Sequence, residues 1–555
     1  MTQPIATSPP AVKFNFRYVE IVAGLAITLL AMSAHVYFST HAGGLWRDEA
    51  NSANMATASL GNIWEKLHYD TFPLAHVLML KIWATIFGSS DASLRFNGML
   101  IGVALLGAVW WCAKQLGIIS PVIALALAGM NAVLIRYGDS LRPYGMGAVL
   151  GVLGIATLWR FCKKPSIARG IIATIVCILN VHTSYQNCTV VFGCCMAAAM
   201  VAAAAKDWKT SILSIIIGAI AALSILIYVE PLHAAQDWML VLQTGGSQNL
   251  GSAFAGAFGG GFISMAIVWL LLVMATIVLG IWGIIAGFQK SKVAPLVDPN
   301  AWRELYCMAV VIFTTLALIA LVVTGGFQCE PWHILPLLAP TAISVDVITG
   351  SFAGSIVAAQ IVRVVIALLL AIIPSFWSFP ELTPAQTNID VVADLINKNA
   401  RKNDIVVVAP WFMGVSFSRY YHGQADWMTL PPMTDHSIHR YDLIKAAMLD
   451  PSPIEQAAQK VAQTLVNGGR VWIAGPGTFL PKGQFPDPTP IPPNSPWGWK
   501  SSNYTISWES KVGVAIQALA TQIAQVPVDR VAQPVENLPL IVVWRAPAAT
   551  SSPAK

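Results

Sequence analysis

The sequence predicts a polytopic α-helical membrane protein of about eleven transmembrane helices, with an interfacial helix in its first outer loop and a soluble α/β domain at its carboxyl end. Three observations predict it. Of 555 residues, 56% are hydrophobic and only 11% are charged, about half the charged share of a soluble globular domain. The apolar residues fall in blocks of roughly 18 to 24 with few charges, the length that crosses a hydrocarbon core of about 30 Å. Beyond Pro374 the composition turns to Pro, Asp, Asn and Trp with ordinary helix and strand signals, which marks a separate soluble unit.

Residues 1–17 read as a polar cytoplasmic tail. The first apolar block, 18–38, is too long for a signal peptide and lacks a clear cleavage site, so it reads as a retained anchor. Further blocks lie near 94–113, 118–135, 143–162, 168–186, 188–205, 210–229, 263–288, 304–324, 334–350 and 354–373. A weaker one at 73–88 decides the sidedness of everything after it, because one span more or fewer inverts every later loop.

With 73–88 laid along the membrane surface, the inner side collects Lys13, Arg17, Lys114, Lys163, Lys164, Arg169, Lys206, Lys209, Lys290, Lys292 and Arg303. The outer side then holds Arg47, Lys66, Lys81, Arg95, Arg136 and Arg142. That is the positive-inside bias, and treating 73–88 as a span reverses most of it. The segment is about sixteen residues long, opens with Pro73 and carries His76 and Lys81, which suits an amphipathic surface helix. The amino terminus is therefore expected in the cytoplasm and the carboxyl terminus outside, with residues 18–375 as the transmembrane unit and 380–555 as an extracytoplasmic domain.

Two outer loops are long. The first, 41–93, mixes acidic, basic and aromatic residues, whereas the second, 230–262, is rich in Gly, Ser and Ala without a strong helical period and reads as mobile. In the carboxyl-terminal domain, 389–399 reads as a helix before a buried-type strand at 404–409. A helix at 453–467 precedes a strand at 470–474, and another strand falls at 538–545, with a Pro- and Trp-rich loop at 481–499.

The net charge of +6 is small for this length and scattered over loops, which excludes nucleic acid as a partner. Of eight cysteines, seven lie in or beside apolar segments and Cys329 lies in a polar loop. No spacing resembles a zinc site, so no metal ligands are assigned and the thiols are read as filling helix interfaces.

Chemistry concentrates in two polar stretches. Leu45-Trp46-Arg47-Asp48-Glu49-Ala50 puts adjacent carboxylates a few residues beyond the first span. One carboxylate can accept a proton from an attacking hydroxyl while its neighbour orients the acceptor or holds a cation. The alternative is a solvated helix start, whose dipole favours acidic residues. Arg136-Tyr137-Gly138-Asp139-Ser140-Leu141-Arg142-Pro143-Tyr144 lies between two spans, where charges are expensive and call for a partner or a ligand. An arginine fork matches two phosphate oxygens. Against that stands a structural pair of Arg142 with Asp139 or Asp48.

The series WRDEA, then Asp70 before Phe72-Pro73-Leu74, then SLRFNG at 93–98 and RYGDSLRPYG at 136–145, resembles the amino-terminal module of GT-C class glycosyltransferases of the family 39 type. Relatives include the protein O-mannosyltransferases and the lipid A aminoarabinose transferases of bacteria. The order and spacing match over roughly residues 20–190. The family's Pro-Pro-Leu run is here Phe72-Pro73-Leu74, so a proline and a family histidine are missing. His182-Thr183-Ser184-Tyr185 matches a family His-Tyr element loosely, with a capped helix end as the alternative, and Glu330-Pro331-Trp332-His333 stands where relatives present a basic residue to the lipid phosphate.

The resemblance implies a multi-pass enzyme of the bacterial inner membrane that moves a sugar from a polyprenyl-phosphate donor to an acceptor hydroxyl on the outer face, with inversion. Asp48 would be the base and Glu49 its neighbour. Arg142, Arg136 and His333 would face the donor phosphate, and Asp70, Asp139, Tyr144 and His182 the substrates. The loop 230–262 would close over the donor tail. The partners implied are that donor, a lipid, glycan or protein acceptor, and membrane lipids. No cofactor is certain; a divalent cation is the one candidate. Two other classes compete: a lipid or solute transporter, which would show internal repeats and charges near the midplane, and a non-catalytic glycan-binding membrane protein, for which Asp48 and Arg142 would stand far apart.

Overall fold

The structure is a computed structural model that describes residues 16–70, 72–242, 249–291, 299–326, 328–354, 356–481, 483–495 and 498–546. The chain enters as the 26-residue apolar helix α1 (Phe16–His41). Two short helices, α2 (Arg47–Thr57) and α3 (Leu60–Lys66), precede α4 (Leu74–Phe87) and the long α5 (Asp91–Gln115). Pro73 is the N-cap of α4, a position where its missing N–H costs nothing. At 14 residues, α4 extends about 21 Å, short of the hydrocarbon thickness.

Among the described residues nine helices are long and apolar enough to cross a membrane. All eleven predicted blocks are occupied by helix, but two of them fall short of that standard. The 168–186 block is a helix of 15 residues, Ile167–Val181, ending in a 3-10 turn at Tyr185–Asn187. The 118–135 block is broken into α6 (Val122–Gly129) and α7 (Ala132–Gly138), because Asn131 caps α7 by accepting the Leu134 N–H at 2.8 Å. Its amide also donates to the Ala257 carbonyl at 2.8 Å. The next helix is α8 (Tyr144–Lys163).

The 230–262 segment differs from its expectation. It holds the helices Val229–Met239 and Leu250–Gly259, with 243–248 outside the described residues. An apolar face holds the second helix: Ala253 and Ala257 are buried, Leu250, Phe254 and Phe258 pack beside them on the helical core, and Gly256 admits Pro331.

The last long apolar helix, Val357–Leu382, leads straight into the carboxyl-terminal domain. There Gln386 N–H donates to the Ala42 carbonyl at 2.7 Å, tying the start of the domain to the end of α1. The domain is built on a five-stranded sheet in the order β2-β1-β3-β5-β4. Its strands are β1 (Ile405–Val408), β2 (Asp426–Thr429), β3 (Arg470–Ala474), β4 (Gln522–Val526) and β5 (Leu540–Trp544). β1 runs parallel to β2 and β3, whereas β5 runs antiparallel to β3 and β4. All four residues of β1 are buried because both faces are covered. Val406 and Val408 pack with Val392 and Ile396 of one helix, and Ile405 and Val407 with Val461 and Leu465 of another.

All eight cysteines are free, and five from Cys112 to Cys307 lie in the helical core.

Candidate functional site

The three quoted motifs converge. Helix α2 begins at Arg47, so Asp48 and Glu49 occupy its first turn, where the dipole favours negative charge. The two carboxylates then part company. Glu49 is fully buried: Oε1 pairs with Arg95 and accepts the Leu141 N–H at 3.1 Å, and Oε2 accepts the Trp46 N–H at 3.4 Å. Arg95 also donates to the Gly44 carbonyl at 2.8 Å. One carboxylate thus joins the first loop, α5 and the 136–145 stretch. Burial raises the Glu49 carboxyl, and Arg95 opposes that rise.

Asp48 keeps a quarter of its side chain exposed. Its Oδ1 lies 3.7 Å from Arg47 Nε and 3.7 Å from His439 Nδ1. Burial alone would raise its carboxyl, but Arg142, His439 and Arg47 together hold it below the usual carboxylate value, so it is ionised at neutral pH. Arg142 Nη1 reaches the Asp48 carbonyl at 3.3 Å and Ser52 Oγ at 3.2 Å. Its guanidinium stacks 4.2 Å above the Phe72 ring, and its buried Nε has no hydrogen-bond partner among the described residues. Tyr144 packs edge-on to Phe72 and Tyr137. Asp48, Arg142, Phe72 and Tyr144 therefore share one locale.

Asp70 flanks it. Its carboxylate accepts from Asn51 Nδ2 at 2.5 Å and from the Phe72 N–H at 3.1 Å.

The other predicted residues are engaged elsewhere. Asp139 pairs with His35 at 2.7 Å, not with Arg142, and burial pushes its carboxyl up to about 6 against His35. This pair explains two glycines of α5. A Cβ at Gly102 would overlap the Asp139 carboxylate and the His35 ring, and one at Gly98 would strike the Asp139 carbonyl. Arg136 bonds the Glu381 carbonyl and pairs with its carboxylate at 3.2 Å. His182 lies against Tyr228 at 2.8 Å and Ser224 at 3.1 Å, the capped helix end of the alternative reading. His333 Nδ1 accepts the Glu330 N–H at 3.1 Å.

The carboxyl-terminal domain supplies groups that the sequence did not single out. Glu536 faces Arg47 at 3.6 Å; burial lifts its carboxyl to about 7, against the pull of Arg47. His439 N–H donates to Asn51 Oδ1 at 2.8 Å. Arg419 pairs with Asp91 at 2.7 Å, and Tyr420 Oη, which donates to Asp91 at 2.6 Å, accepts the Leu45 N–H at 2.6 Å. Arg95 stood in a quoted motif and could have been found by asking which cation balances Glu49. His439 and Glu536 carry no local signal at all.

A divalent cation does not fit. Glu49 is taken up by Arg95, Asp48 is ringed by cationic groups, and among the described residues no cluster of three His, Cys, Asp or Glu side chains could hold a metal.

No family model matches the sequence, nor does any curated protein. Solved structures do. The fold is that of the GT-C class of glycosyltransferases. The chain is similar to ArnT from Cupriavidus metallidurans in its apo state, with a TM-score of 0.51 and 10% identity over 96% of this chain and 100% of that one. It is similar to the same protein bound to undecaprenyl phosphate, with a TM-score of 0.50 and 11% identity over 95% and 99%. The oligosaccharyltransferase AglB from Archaeoglobus fulgidus also matches, with a TM-score of 0.47 and 12% identity over 81% of this chain and 69% of that one.

Proposed function

We propose that this protein transfers a sugar from a polyprenyl-phosphate donor to an acceptor hydroxyl at the non-cytoplasmic face of a bacterial inner membrane. The observation that carries the reading is an ionised, part-exposed Asp48 beside Arg142, which bonds the Asp48 backbone carbonyl and whose buried Nε has no hydrogen-bond partner among the described residues. The similarity of the fold to an ArnT structure bound to undecaprenyl phosphate supports the choice of donor.

In this reading Asp48 takes the proton of the acceptor hydroxyl as its oxygen attacks the anomeric carbon. The bond from that carbon to the phosphate oxygen breaks, and its electron pair stays on the phosphate. A phosphate needs charge stabilisation rather than protonation to leave, and Arg142 supplies it. Displacement in one step inverts the anomeric centre. Tyr144 and Phe72 wall the site, and Asp70 orients Asn51. Glu49 acts at one remove, holding the loop through Arg95 and Leu141. Arg136 and His333 hold chain segments in place, which leaves the phosphate to Arg142. The carboxyl-terminal domain, 380–555, lies outside the membrane in this reading, as the charge bias of the loops requires.

The test is to incubate purified protein with undecaprenyl-phosphate-linked mannose, glucose, arabinose and aminoarabinose, and to measure released undecaprenyl phosphate. Release from at least one donor is expected. Stability of all four toward the wild-type protein would remove the reading.

A further inference from the structure

Helix α2 carries Asp48 and, three residues on, Asn51, so the two side chains share one face. Asn51 Oδ1 accepts the backbone N–H of His439 at 2.8 Å, while its amide is fixed on Asp70 at 2.5 Å. The helix that bears the base thus also sets where His439 stands. The ring is not what docks the segment, because the bond to α2 is made by backbone. What the ring does is face Asp48, with Trp411 and Tyr441 packed against it.

Its Nδ1 lies 3.7 Å from Asp48 Oδ1. That is too long for a hydrogen bond, whereas an oxygen atom about 2.8 Å from each would bridge the two. The buried Nε2 has no hydrogen-bond partner among the described residues. Burial pushes the imidazole down to about 4, with Arg47 and Arg142 in the same direction and Asp48 opposing. The ring is therefore neutral at pH 7, a donor at one nitrogen and a lone pair at the other.

We propose that His439, contributed by the carboxyl-terminal domain, is a positioning residue for the acceptor, holding the attacking hydroxyl between its Nδ1 and the Asp48 carboxylate. The proposal rests on the glycosyl-transfer reading and adds the soluble domain to the site. Nδ1–H donates to the hydroxyl oxygen, which turns the hydroxyl proton toward Asp48. On attack the new bond runs from that oxygen to the anomeric carbon, the proton passes to Asp48, and the phosphate leaves with the electrons of the broken bond. His439 exchanges no proton in this step.

The experiment uses full-length protein, the four undecaprenyl-phosphate sugars, and water or methanol as the small hydroxyl acceptor. His439→Ala should slow undecaprenyl phosphate release by about 10- to 100-fold, the scale of a misplaced reactant. Affinity for undecaprenyl phosphate and the unfolding midpoint should stay at wild-type values. His439→Asn, whose amide nitrogen falls near the Nδ1 position, should recover most of the rate, and His439→Gln, which mimics Nε2, should not. Wild-type turnover in His439→Ala overturns the proposal. So does a loss that Asn fails to rescue and that comes with weakened lipid-phosphate affinity, which marks a packing role. A wild-type protein inert toward every donor removes the underlying reading instead.

Discussion

Glu49 and Asp48 are neighbours in sequence, yet the structure gives them opposite responses to truncation. In Glu49→Ala the guanidinium of Arg95, 5% exposed, loses its carboxylate and keeps, among the described residues, only the Gly44 carbonyl as a hydrogen-bond partner. Removing one member of a buried pair costs about 3–5 kcal/mol. The buried Leu141 N–H loses its acceptor as well, a penalty of about 1–3 kcal/mol. The two share a carboxylate and do not simply add, so a loss of about 4–5 kcal/mol is expected. Asp48→Ala removes a part-exposed carboxylate whose ion pair with Arg47 spans 3.7 Å, beside a neutral His439, and it keeps the backbone carbonyl that Arg142 bonds; the loss is worth about 1 kcal/mol or less.

Urea unfolding in detergent, followed by tryptophan fluorescence, separates the two cases. Glu49→Ala should lower the midpoint strongly and Asp48→Ala hardly at all. Glu49→Gln should fall between, since its carbonyl still accepts the Leu141 N–H while the charge of Arg95 is left unbalanced. A wild-type midpoint in Glu49→Ala, or equal losses in the two alanine variants, would refute the division of labour between the carboxylates.

Glu536 makes a pH-dependent contribution. Its buried carboxyl is raised from 4.5 to about 7, so the folded state binds its proton more tightly than the unfolded chain does. Its stabilising effect is full below the unfolded value and is lost as pH rises through about 7, a difference of about 3 kcal/mol. Glu536→Gln, neutral throughout, should flatten that part of the midpoint-versus-pH curve between pH 5 and 8; parallel curves for variant and wild type would contradict it. Gly102→Ala should destabilise by about 1–3 kcal/mol, because its methyl meets the His35–Asp139 pair, and an unchanged urea midpoint would show that the pair can move aside. Arg142→Ala should weaken undecaprenyl phosphate binding by about 10- to 100-fold, the worth of a charge-assisted hydrogen bond, as read by titration; unchanged affinity would reduce Arg142 to a structural partner of Ser52.

Much of this was legible in the residues. The apolar blocks carry their helices, and Pro73 with the short run behind it announces α4. WRDEA, SLRFNG and RYGDSLRPYG meet because the Glu49 carboxylate accepts from both Arg95 and the Leu141 N–H. What escaped has physical causes. The block at 118–135 looks continuous, since hydropathy does not register that Asn131 turns its side chain back to cap α7. The helix Leu250–Gly259 lays Leu250, Ala253, Phe254, Ala257 and Phe258 on the core, but its remaining positions are Gly, Ser and Ala, which dilute that short face in a stretch that reads as loop. β4 is an edge strand without a buried run, and β2 has only four residues, two of them out of the core. The reach of His439 to Asn51 crosses 388 residues, and no local pattern encodes a contact of that separation. Asp139 and Arg136 stand out for charge at a span boundary, and His35 and Glu381 answer that charge; His182, which stands out by its match to a family element, is held by Tyr228 and Ser224.

The central claim is that Asp48 is the base of a sugar transfer from a polyprenyl phosphate. Its most direct test is the rate of undecaprenyl phosphate release by Asp48→Asn beside wild type, with the donor that wild type consumes and with folding checked by urea midpoint. The account predicts a wild-type midpoint and a loss of at least about 100-fold in rate. A folded Asp48→Asn that releases the lipid phosphate as fast as wild type would contradict it.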